Sequence, residues 1–336
     1  MSLRLASSAR REGGGTSSEV HLLQKQEPSL SGRNSAEPPV MIGLPVYNGE
    51  QYVTESIESL LNQTFEDFLI VISDNASTDS TGEICRRFAS ADSRIRYHRN
   101  PTNIGMAGNY NLLFGMCHSE YFRWATADDY SSVDMLAEAV EVMKANPALA
   151  LCYPRAYFVD SEGREIGRWE DELHLLQDDP LDRFKIVVRK IGRVHHHLGL
   201  MRSSFLRRTG LLSRHVSSDK GLIAELSLHG KFFQIPKYQF FRRMHEDSSS
   251  WATEDEAHQA RRYHASNVHR IPFNALRFHW RFVEAINRSS LSVWDRARAY
   301  GFLARVAAWH RDELGRELVQ EARLAVRKTR VRTPHG

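Results

Sequence analysis

Acidic and amide side chains follow short apolar runs at several points in this chain. Three such runs and the polar segments after them are 40–44 before 45–48, 68–72 before 73–78, and 121–125 before 126–129. The third polar segment ends in the adjacent residues Asp128 and Asp129. Carboxylates at such positions can bind a divalent cation or accept a proton from a substrate.

The elements around these segments decide whether the carboxylates can meet. From residue 40 to residue 153, apolar runs of strand length alternate with stretches of helical period, which predicts a parallel α/β sheet. Ligands bind such sheets outside the carboxyl ends of the strands. Asp and Asn are also common turn formers, but three polar exits in register favour a shared site. This layout indicates a nucleotide-sugar site.

The chain divides into three predicted parts. Residues 1–38 are rich in Ser, Gly, Arg and Glu, and we expect them to form a disordered leader. Residues 39–250 form the main domain, in which 39–153 bind the nucleotide sugar and 154–250 supply the acceptor side. Residues 251–336 are expected to form a helical C-terminal extension, because their apolar residues recur at helical spacing.

Charge and composition narrow the classes of function. The chain carries a formal net charge of +4, and its isoelectric point is near 9.0. The basic excess lies in the tail, at 261–332, without zinc-finger spacing or an aromatic RNA-binding motif, so we expect no nucleic-acid partner. A basic tail suits an anionic membrane surface or an acidic substrate, and a solvated helix face is the alternative. The tail helices could also form a homodimer.

The three cysteines, Cys85, Cys117 and Cys152, are widely spaced. Their odd number and the lack of a C-x-x-C pair argue against a disulfide framework and a zinc knuckle, and fit a reducing compartment. The sequence has no apolar run of about 18 residues and no secretory signal. We therefore predict a cytoplasmic protein that is soluble or peripheral at the inner face of the membrane.

Taken in order, these motifs resemble those of glycosyltransferase family 2. The resemblance covers residues 40 to 250. Its carriers are 45–48, 73–79, 103–109, 127–129 and 218–219. It implies the GT-A fold, a Rossmann-like and mainly parallel sheet flanked by helices. It also implies an inverting, metal-dependent transfer of a sugar from a UDP- or TDP-type donor to a hydroxyl of a saccharide, a lipid-linked intermediate or a small molecule.

The resemblance further implies which residues bind the donor. Asp74 would accept a hydrogen bond from the base, and Asn103 and Asn109 would approach the nucleotide from the other side. The slot around the base and ribose would be shaped by Pro45, Val46 and Tyr47. No Walker A or glycine-rich dinucleotide motif is present, which argues against kinases and dehydrogenases.

A metal site is expected at the third polar segment. The leaving pyrophosphate gains negative charge in the transition state, so the reaction calls for a bound divalent cation. Asp128 is the expected ligand of Mn2+ or Mg2+, and Asp129 is either its supporting partner or a contact to the donor sugar. The family's Asp-x-Asp reads Thr126-Ala127-Asp128 here. This leaves open how tightly metal binds and whether the Thr126 hydroxyl replaces the ribose contact.

Histidines offer further ligands. His245 stands in an element that resembles the family's Arg-x-His, and is expected to complete the metal shell or contact the pyrophosphate, with Arg243 as a charge clamp. A structural role is the alternative for a lone histidine. The triplet at 195–197 is not expected to chelate one ion, because adjacent side chains of an extended segment point to alternate faces. At most one of the three would face the acceptor.

An acceptor hydroxyl needs a base to take its proton. Asp219 is the candidate, because it precedes a helix expected at 221–228 and its family counterpart acts as the base of inverting transfer. The alternative is an N-cap, a position that Asp favours, and the two roles are compatible.

Upstream of Asp219, the pattern predicts a hairpin that turns at 161–163 and a helix over 180–190.

Two other classes of function stay open at this point. A sugar-nucleotide nucleotidyltransferase also has acidic pairs at strand exits, but usually with a basic glycine-rich loop after the first strand, whereas residues 45–50 include no Lys or Arg. A non-catalytic sugar-nucleotide-binding scaffold is the other, suggested by the missing first aspartate. The products distinguish the two enzymes. A glycosyltransferase forms a glycoside and a nucleoside diphosphate, whereas a nucleotidyltransferase forms a sugar nucleotide and pyrophosphate.

Overall fold

The apolar runs of the sequence become strands, and the amphipathic stretches between them become helices. The computed structural model describes residues 37–169, 173–192, 195–215, 217–245 and 273–331. Its strands are β1 (Val40–Val46), β2 (Phe68–Asp74), β3 (Ile95–Arg99), β4 (Tyr121–Trp124), β5 (Tyr130–Ser131), β6 (Leu149–Val159), β7 (Glu165–Trp169), β8 (Leu200–Arg202) and β9 (Lys231–Arg243). The predicted leader lies outside the described residues as far as residue 36.

The helices account for the connections between these strands and for the tail. They are α1 (Val53–Leu61), α2 (Thr81–Ala91), α3 (Met106–Gly115), α4 (Met135–Ala145), α5 (Pro180–Lys190), α6 (Ser203–Leu206), α7 (Ser218–His229), α8 (Asn274–Arg288), α9 (Val293–Trp309) and α10 (Arg311–Val331). No helix among the described residues is both long enough and apolar enough to cross a bilayer.

All nine strands belong to one sheet. Their order is β3-β2-β1-β4-β8-β6-β9-β5, and β7 pairs with β6 as the predicted hairpin. The first four strands are parallel, and helices form the connections between them. β8 then runs antiparallel to both β4 and β6, while β9 is parallel to β6. The predicted α/β class is confirmed, and the parallel half of the sheet carries the three polar exits.

Two apolar cores lie on opposite faces of the sheet. Every residue of β1 is buried, because helices cover both faces of a parallel strand. Val40, Ile42 and Leu44 pack with α1, α2 and α4, whereas Met41 belongs to the core that includes α3, α5 and α7. Helices therefore cover both faces of the sheet, and the loops at its carboxyl edge are the part that can bind a ligand.

The C-terminal helices join the second core. Phe282 and Ile286 of α8 and Phe302 and Val306 of α9 are buried in the same cluster as residues of α5 and α7. The division expected at residue 251 therefore separates two segments that share one core. Helical periodicity revealed the apolar stripe of the tail but not the surface against which it packs.

A buried ion network fastens α7 to α8. The Glu225 carboxylate of α7 is fully buried, accepts a hydrogen bond from Arg288 Nε at 2.6 Å and lies 3.5 Å from Arg281 Nη2. The Gly210 N–H donates to the same carboxylate at 3.1 Å, and Arg281 donates to the Leu211 carbonyl at 2.9 Å. A buried charge requires such pairing. One carboxylate thus fixes α7 and the loop before it to the tail.

Replacing Glu225 by Gln removes this charge and keeps the shape of the side chain. We expect the free energy of unfolding to fall by about 3 kcal/mol, because a buried arginine then lacks its main partner. Glu284→Gln is the matched control: its carboxylate contacts the same two arginines but is 35% exposed, so a loss below about 1 kcal/mol is expected. Urea unfolding followed by circular dichroism measures both losses, and equal values would contradict this account.

Candidate functional site

The carboxyl ends of β1, β2 and β4 lie side by side. In the parallel register Val46 pairs with Asp74, and Gly43 pairs with Trp124. The polar segments after these strands therefore open at one edge of the sheet. The end of β9 reaches the same place, because the Arg243 N–H donates to the Asp129 carboxylate at 2.9 Å.

The loop after β1 presents one aromatic ring. The Asn48 N–H donates to Ser77 Oγ at 3.0 Å, which ties this loop to the one after β2. The turn leaves Tyr47 50% exposed, while Pro45 and Val46 are buried within β1. Of the three residues predicted to shape the base slot, only Tyr47 offers its side chain to a ligand at the surface.

Asp74, predicted to bind the base, is closed off from solvent. Its carboxylate accepts from the Ser77 N–H at 2.8 Å, from the Tyr97 hydroxyl at 2.6 Å and from Arg99. Burial acts to raise the pKa of Asp74, but these hydrogen bonds and the Arg99 charge bring it below its ordinary value. The geometry does not support the predicted base contact: this carboxylate holds the loop after β2 against β3.

The asparagines predicted to approach the nucleotide form an internal network. Asn109 Oδ1 accepts from Ser73 Oγ at 2.6 Å and from Asn100 Nδ2 at 3.1 Å, and the Asn109 amide donates to the Ser73 carbonyl at 2.9 Å. Asn103 Oδ1 accepts from Asn75 Nδ2 at 2.8 Å. Asn109 is buried, so its predicted nucleotide contact is not supported, whereas Asn103 lies partly exposed at the rim. Buried amides need such partners.

Asp128 and His245 meet at the carboxyl edge, as the metal prediction requires. His245 Nε2 lies 3.1 Å from Asp128 Oδ2, and both side chains keep part of their surface exposed. Burial acts to raise the pKa of Asp128, but the hydrogen bond and charge of His245 and the charge of Arg242 lower it below its ordinary value. The Tyr52 ring packs 5.0 Å from the His245 ring and limits its orientation.

This pair of side chains fits a divalent cation in its chemistry. A carboxylate oxygen and an imidazole nitrogen suit Mn2+, and Mg2+ is commonly held by one or two carboxylates with substrate phosphates. In the part of the chain that the structure describes, no group of three or more His, Cys, Asp or Glu side chains is placed to hold an ion. A cation bound by this pair would therefore take its other ligands from phosphate oxygens and water.

Asp129 points inward, away from its neighbour. It is 7% exposed and accepts from the Arg243 N–H at 2.9 Å and from the Thr126 hydroxyl at 2.7 Å. Burial and the Asp128 charge raise the pKa of Asp129 to about 7. Of its two predicted roles, this geometry favours support of the loop. The Thr126 hydroxyl uses its proton within the same loop.

Arg243 does not have the arrangement of a pyrophosphate clamp. Its side chain is 2% exposed. The guanidinium donates to the carbonyls of Asp128 and Ser161 at 3.0 and 2.9 Å, and to the Glu55 carboxylate at 2.5 Å. All of these partners belong to the protein itself. Arg243 therefore holds the loops at this edge together, and its predicted role as a clamp is not supported.

Arg242, to which the sequence analysis assigned no role, points to the opposite face of β9 from Arg243. Adjacent side chains of a strand point to opposite faces, so the period of two along β9 could have identified it. Arg242 is partly exposed, and its charge acts to lower the pKa of both Asp128 and Asp219. Its guanidinium lies 5.7 Å from the Trp169 ring. Arg242 is therefore a cation whose charge acts on both of the candidate carboxylates.

Asp219 lies in the first turn of α7, which begins at Ser218, three residues before the predicted start. The N-cap position belongs to Ser217, so the N-cap alternative is wrong. Burial raises the pKa of Asp219 above its ordinary value, against the opposing effects of the Lys220 N–H, 3.0 Å away, and of Arg242. A partly exposed carboxylate with a raised pKa is suited to accept a proton.

The histidine triplet is arranged differently from the expectation. His195 precedes a 3-10 turn that contains His196 and His197, so the segment is not extended. All three side chains are buried, and burial lowers the pKa of His195 and of His197 to about 3. The His195 ring packs 5.1 Å from Trp169. These rings are neutral packing elements beside the site.

Comparison with known proteins places this geometry in a family. The family model described as Glycosyl transferase family 2 matches residues 41–210, which is half of the chain. A protein of Haemophilus influenzae named an uncharacterized glycosyltransferase is 30% identical over 161 residues, which cover 46% of this chain and 63% of that protein. A chondroitin synthase of Escherichia coli is 25% identical over 233 residues, which cover 68% of this chain and 32% of the synthase. The chain thus spans less than two thirds of each relative.

Solved structures extend the comparison to the fold. The crystal structure of S. aureus TarS residues 1–349 in complex with UDP aligns with a TM-score of 0.58 at 16% identity, over 81% of this chain and 71% of that chain. At this identity the likeness concerns the fold, and it confirms the GT-A class that the motifs imply. With the family model matching half of its length, the chain belongs to glycosyltransferase family 2.

Proposed function

We propose that this chain transfers a sugar from a nucleoside diphosphate sugar to an acceptor hydroxyl, with inversion at the anomeric carbon. One observation carries the proposal: His245 Nε2 lies 3.1 Å from Asp128 Oδ2 at the carboxyl edge, and the positive charge of Arg242 acts on both Asp128 and Asp219. Metal-binding side chains, a cation and a base are the groups that a single displacement of a diphosphate requires.

The donor would lie across the carboxyl ends of β1 and β4. Asp128 and His245 would hold a Mn2+ or Mg2+ ion, which neutralises the charge that develops on the leaving diphosphate. Arg242 adds positive charge beside this pair, and the exposed ring of Tyr47 can stack on the base. A UDP- or TDP-type donor is proposed, in keeping with the TarS structures that hold UDP or UDP-GlcNAc.

The acceptor would be activated by Asp219. Its carboxylate takes the proton of the acceptor hydroxyl while the oxygen attacks the anomeric carbon. The new glycosidic bond forms as the bond to the diphosphate breaks, so the proton ends on Asp219 and the electron pair ends on the diphosphate. Attack opposite the leaving group inverts the configuration of the carbon.

A saccharide is the acceptor class that the relatives favour. The chondroitin synthase of Escherichia coli and a hyaluronan synthase of Pasteurella multocida are each 25% identical to this chain over 233 and 218 residues. We therefore propose the end of a growing polysaccharide as the acceptor. A lipid-linked or small-molecule acceptor is tested beside it.

The products test the proposal. Incubation with UDP-sugars, TDP-sugars, Mn2+ and oligosaccharide acceptors should release nucleoside diphosphate together with an inverted glycoside. A parallel incubation with UTP or TTP and a sugar 1-phosphate tests the alternative, and formation of a sugar nucleotide and pyrophosphate there would show a nucleotidyltransferase instead. Nucleotide binding without turnover of any sugar donor or acceptor would favour the scaffold.

Metal-dependent donor binding should depend on Asp128. UDP or TDP with Mn2+ is expected to raise the melting temperature by about 5 °C at a hundredfold excess over Kd, and Asp128→Ala should abolish the contribution of the metal. Asp67→Ala is the matched control, because Asp67 is exposed just before β2 at the opposite edge of the sheet. An unchanged metal effect in Asp128→Ala would remove Asp128 from the site.

Asp219→Asn should abolish transfer while leaving donor binding in place. We expect kcat to fall about a thousandfold, because the acceptor proton loses its base, and the Kd for donor with Mn2+ to stay within about twofold. Activity measurements and donor titration separate the two effects. Turnover near that of the unmodified protein would show that another group is the base.

The pH dependence provides a second test of Asp219. The base acts only when deprotonated, so kcat/KM should fall as the pH drops through the raised pKa of this carboxyl. The acidic limb should therefore lie above the ordinary range of an aspartate, and the residual activity of Asp219→Asn should lack it. Donor binding measured over the same range is the control for loss of metal ligation.

The two adjacent arginines should respond differently to substitution. Arg242→Gln is expected to weaken donor binding about tenfold with little change in stability, because a charge beside the diphosphate is lost. Arg243→Gln should lower the free energy of unfolding by about 3 kcal/mol, because it leaves buried partners unpaired. Donor titration and urea unfolding measure the pair, and the reverse pattern would contradict the assignment.

A further inference from the structure

The C-terminal helices expose an apolar surface. Within the described ranges, twelve large apolar side chains are exposed, and eight of them lie in 273–331. These eight are Phe273, Trp280, Val293, Trp294, Tyr300, Trp309, Leu318 and Val319. Exposed apolar side chains concentrated in one part of a protein are typical of an interaction surface.

One face of α9 combines such rings with positive charge. A period of 3.6 residues places four exposed side chains within an arc of about 60°: Trp294, Arg298, Arg305 and Trp309. The two rings are 82% and 65% exposed and stand about 22 Å apart along the helix axis. Between them, a Cβ placed on Gly301 would meet nothing within 4 Å. These four residues are called the α9 face below.

The tail segment that carries this face is net positive, in contrast to the rest of the chain. Residues 273–331 include twelve Lys and Arg residues and six Asp and Glu, whereas the whole chain has 45 and 41. The remainder is therefore net negative. At the margin of the face, Asp295 pairs with Arg298 at 2.9 Å. Arg298 and Arg305 lie at equal distances from the centre of the face.

We propose that the α9 face binds the surface of an anionic membrane. Trp rings favour the boundary between headgroups and acyl chains, and arginines bind anionic headgroups while burying their aliphatic stems. Rings at both ends of the helix with arginines between them match a helix that lies in the plane of this interface. A second copy of the chain fits this face less well, because two positive faces would repel each other where they meet.

The face is connected rigidly to the proposed active site. Phe302 of α9 shares a core with Phe282 of α8, whose ring contacts Phe184 of α5 at 6.0 Å. The Glu225 network joins α8 to α7, and α7 carries Asp219. Membrane binding through α9 would therefore hold the proposed base at a set distance from the bilayer. This consequence rests on the proposed function, whereas the membrane contact itself does not.

Vesicle co-sedimentation tests the contact without donor or turnover. The protein should bind vesicles of phosphatidylcholine mixed with phosphatidylglycerol, bind pure phosphatidylcholine much less, and dissociate as salt is raised. Trp294→Ala with Trp309→Ala should weaken partitioning about tenfold or more, and Arg298→Gln with Arg305→Gln about fivefold per arginine. The tryptophan fluorescence should shift to the blue on binding.

Matched controls come from exposed residues of other elements. Ile166→Ala in β7 and Arg87→Gln in α2 remove an exposed apolar side chain and an exposed arginine, and neither should change partitioning. Because the α9 substitutions are on the surface, thermal unfolding should remain unchanged. Absent vesicle binding, or binding equally strong in the α9 variants, would overturn the proposal. So would a dimer, seen by light scattering, that the Trp294→Ala and Trp309→Ala pair dissolves without any vesicle binding.

Discussion

The buried guanidinium of Arg243 holds the carboxyl edge of the sheet together. It joins the Asp128 carbonyl, the Ser161 carbonyl and the Glu55 carboxylate, which come from three segments far apart in the chain. A buried charge is tolerated only when its hydrogen bonds are satisfied. The three segments must therefore keep the positions in which they supply these acceptors. The Arg243 N–H extends the same constraint to Asp129. The position of the Asp128–His245 pair is therefore set by residues that need not touch a substrate.

This edge of the sheet has two pairs of identical neighbours, Asp128–Asp129 and Arg242–Arg243, and the members of each pair differ in environment. Asp128 faces outward with a lowered pKa, whereas Asp129 faces inward with a pKa of about 7. Arg242 acts on the proposed functional carboxylates, whereas Arg243 braces the loops. In β9, neighbouring side chains point to opposite faces, which separates Arg242 from Arg243. In the bend after β4, the Arg243 N–H and the Thr126 hydroxyl hold Asp129 inward, while Asp128 meets His245. Chemically identical neighbours thus have different environments and different roles.

The sequence could predict the elements from apolar periodicity and could place Asp128 at a strand exit. The meeting of Asp128 with His245 is expected from the resemblance of the His245 segment to the family's Arg-x-His element. The helix expected at 180–190 and the hairpin turning at 161–163 have the predicted positions. The contacts of Asp74 and Asn109 could not be predicted in this way. A motif specifies the type of a side chain, but whether its oxygen atoms already have partners depends on residues from other elements, here Tyr97 and Arg99 of β3.

The tail shows the same limit, because an apolar stripe does not reveal its partner. Ten of the twelve residues of α7 are buried, as in a helix enclosed on all sides. At Gly221 a Cβ would lie 3.2 Å from the Arg281 Cβ, so a larger residue there would require α8 to move away by a few tenths of an ångström. The helix that carries Asp219 is thus enclosed partly by the tail. The placement of the proposed base consequently depends on helices outside the segment that the family model matches, and these helices also present the α9 face.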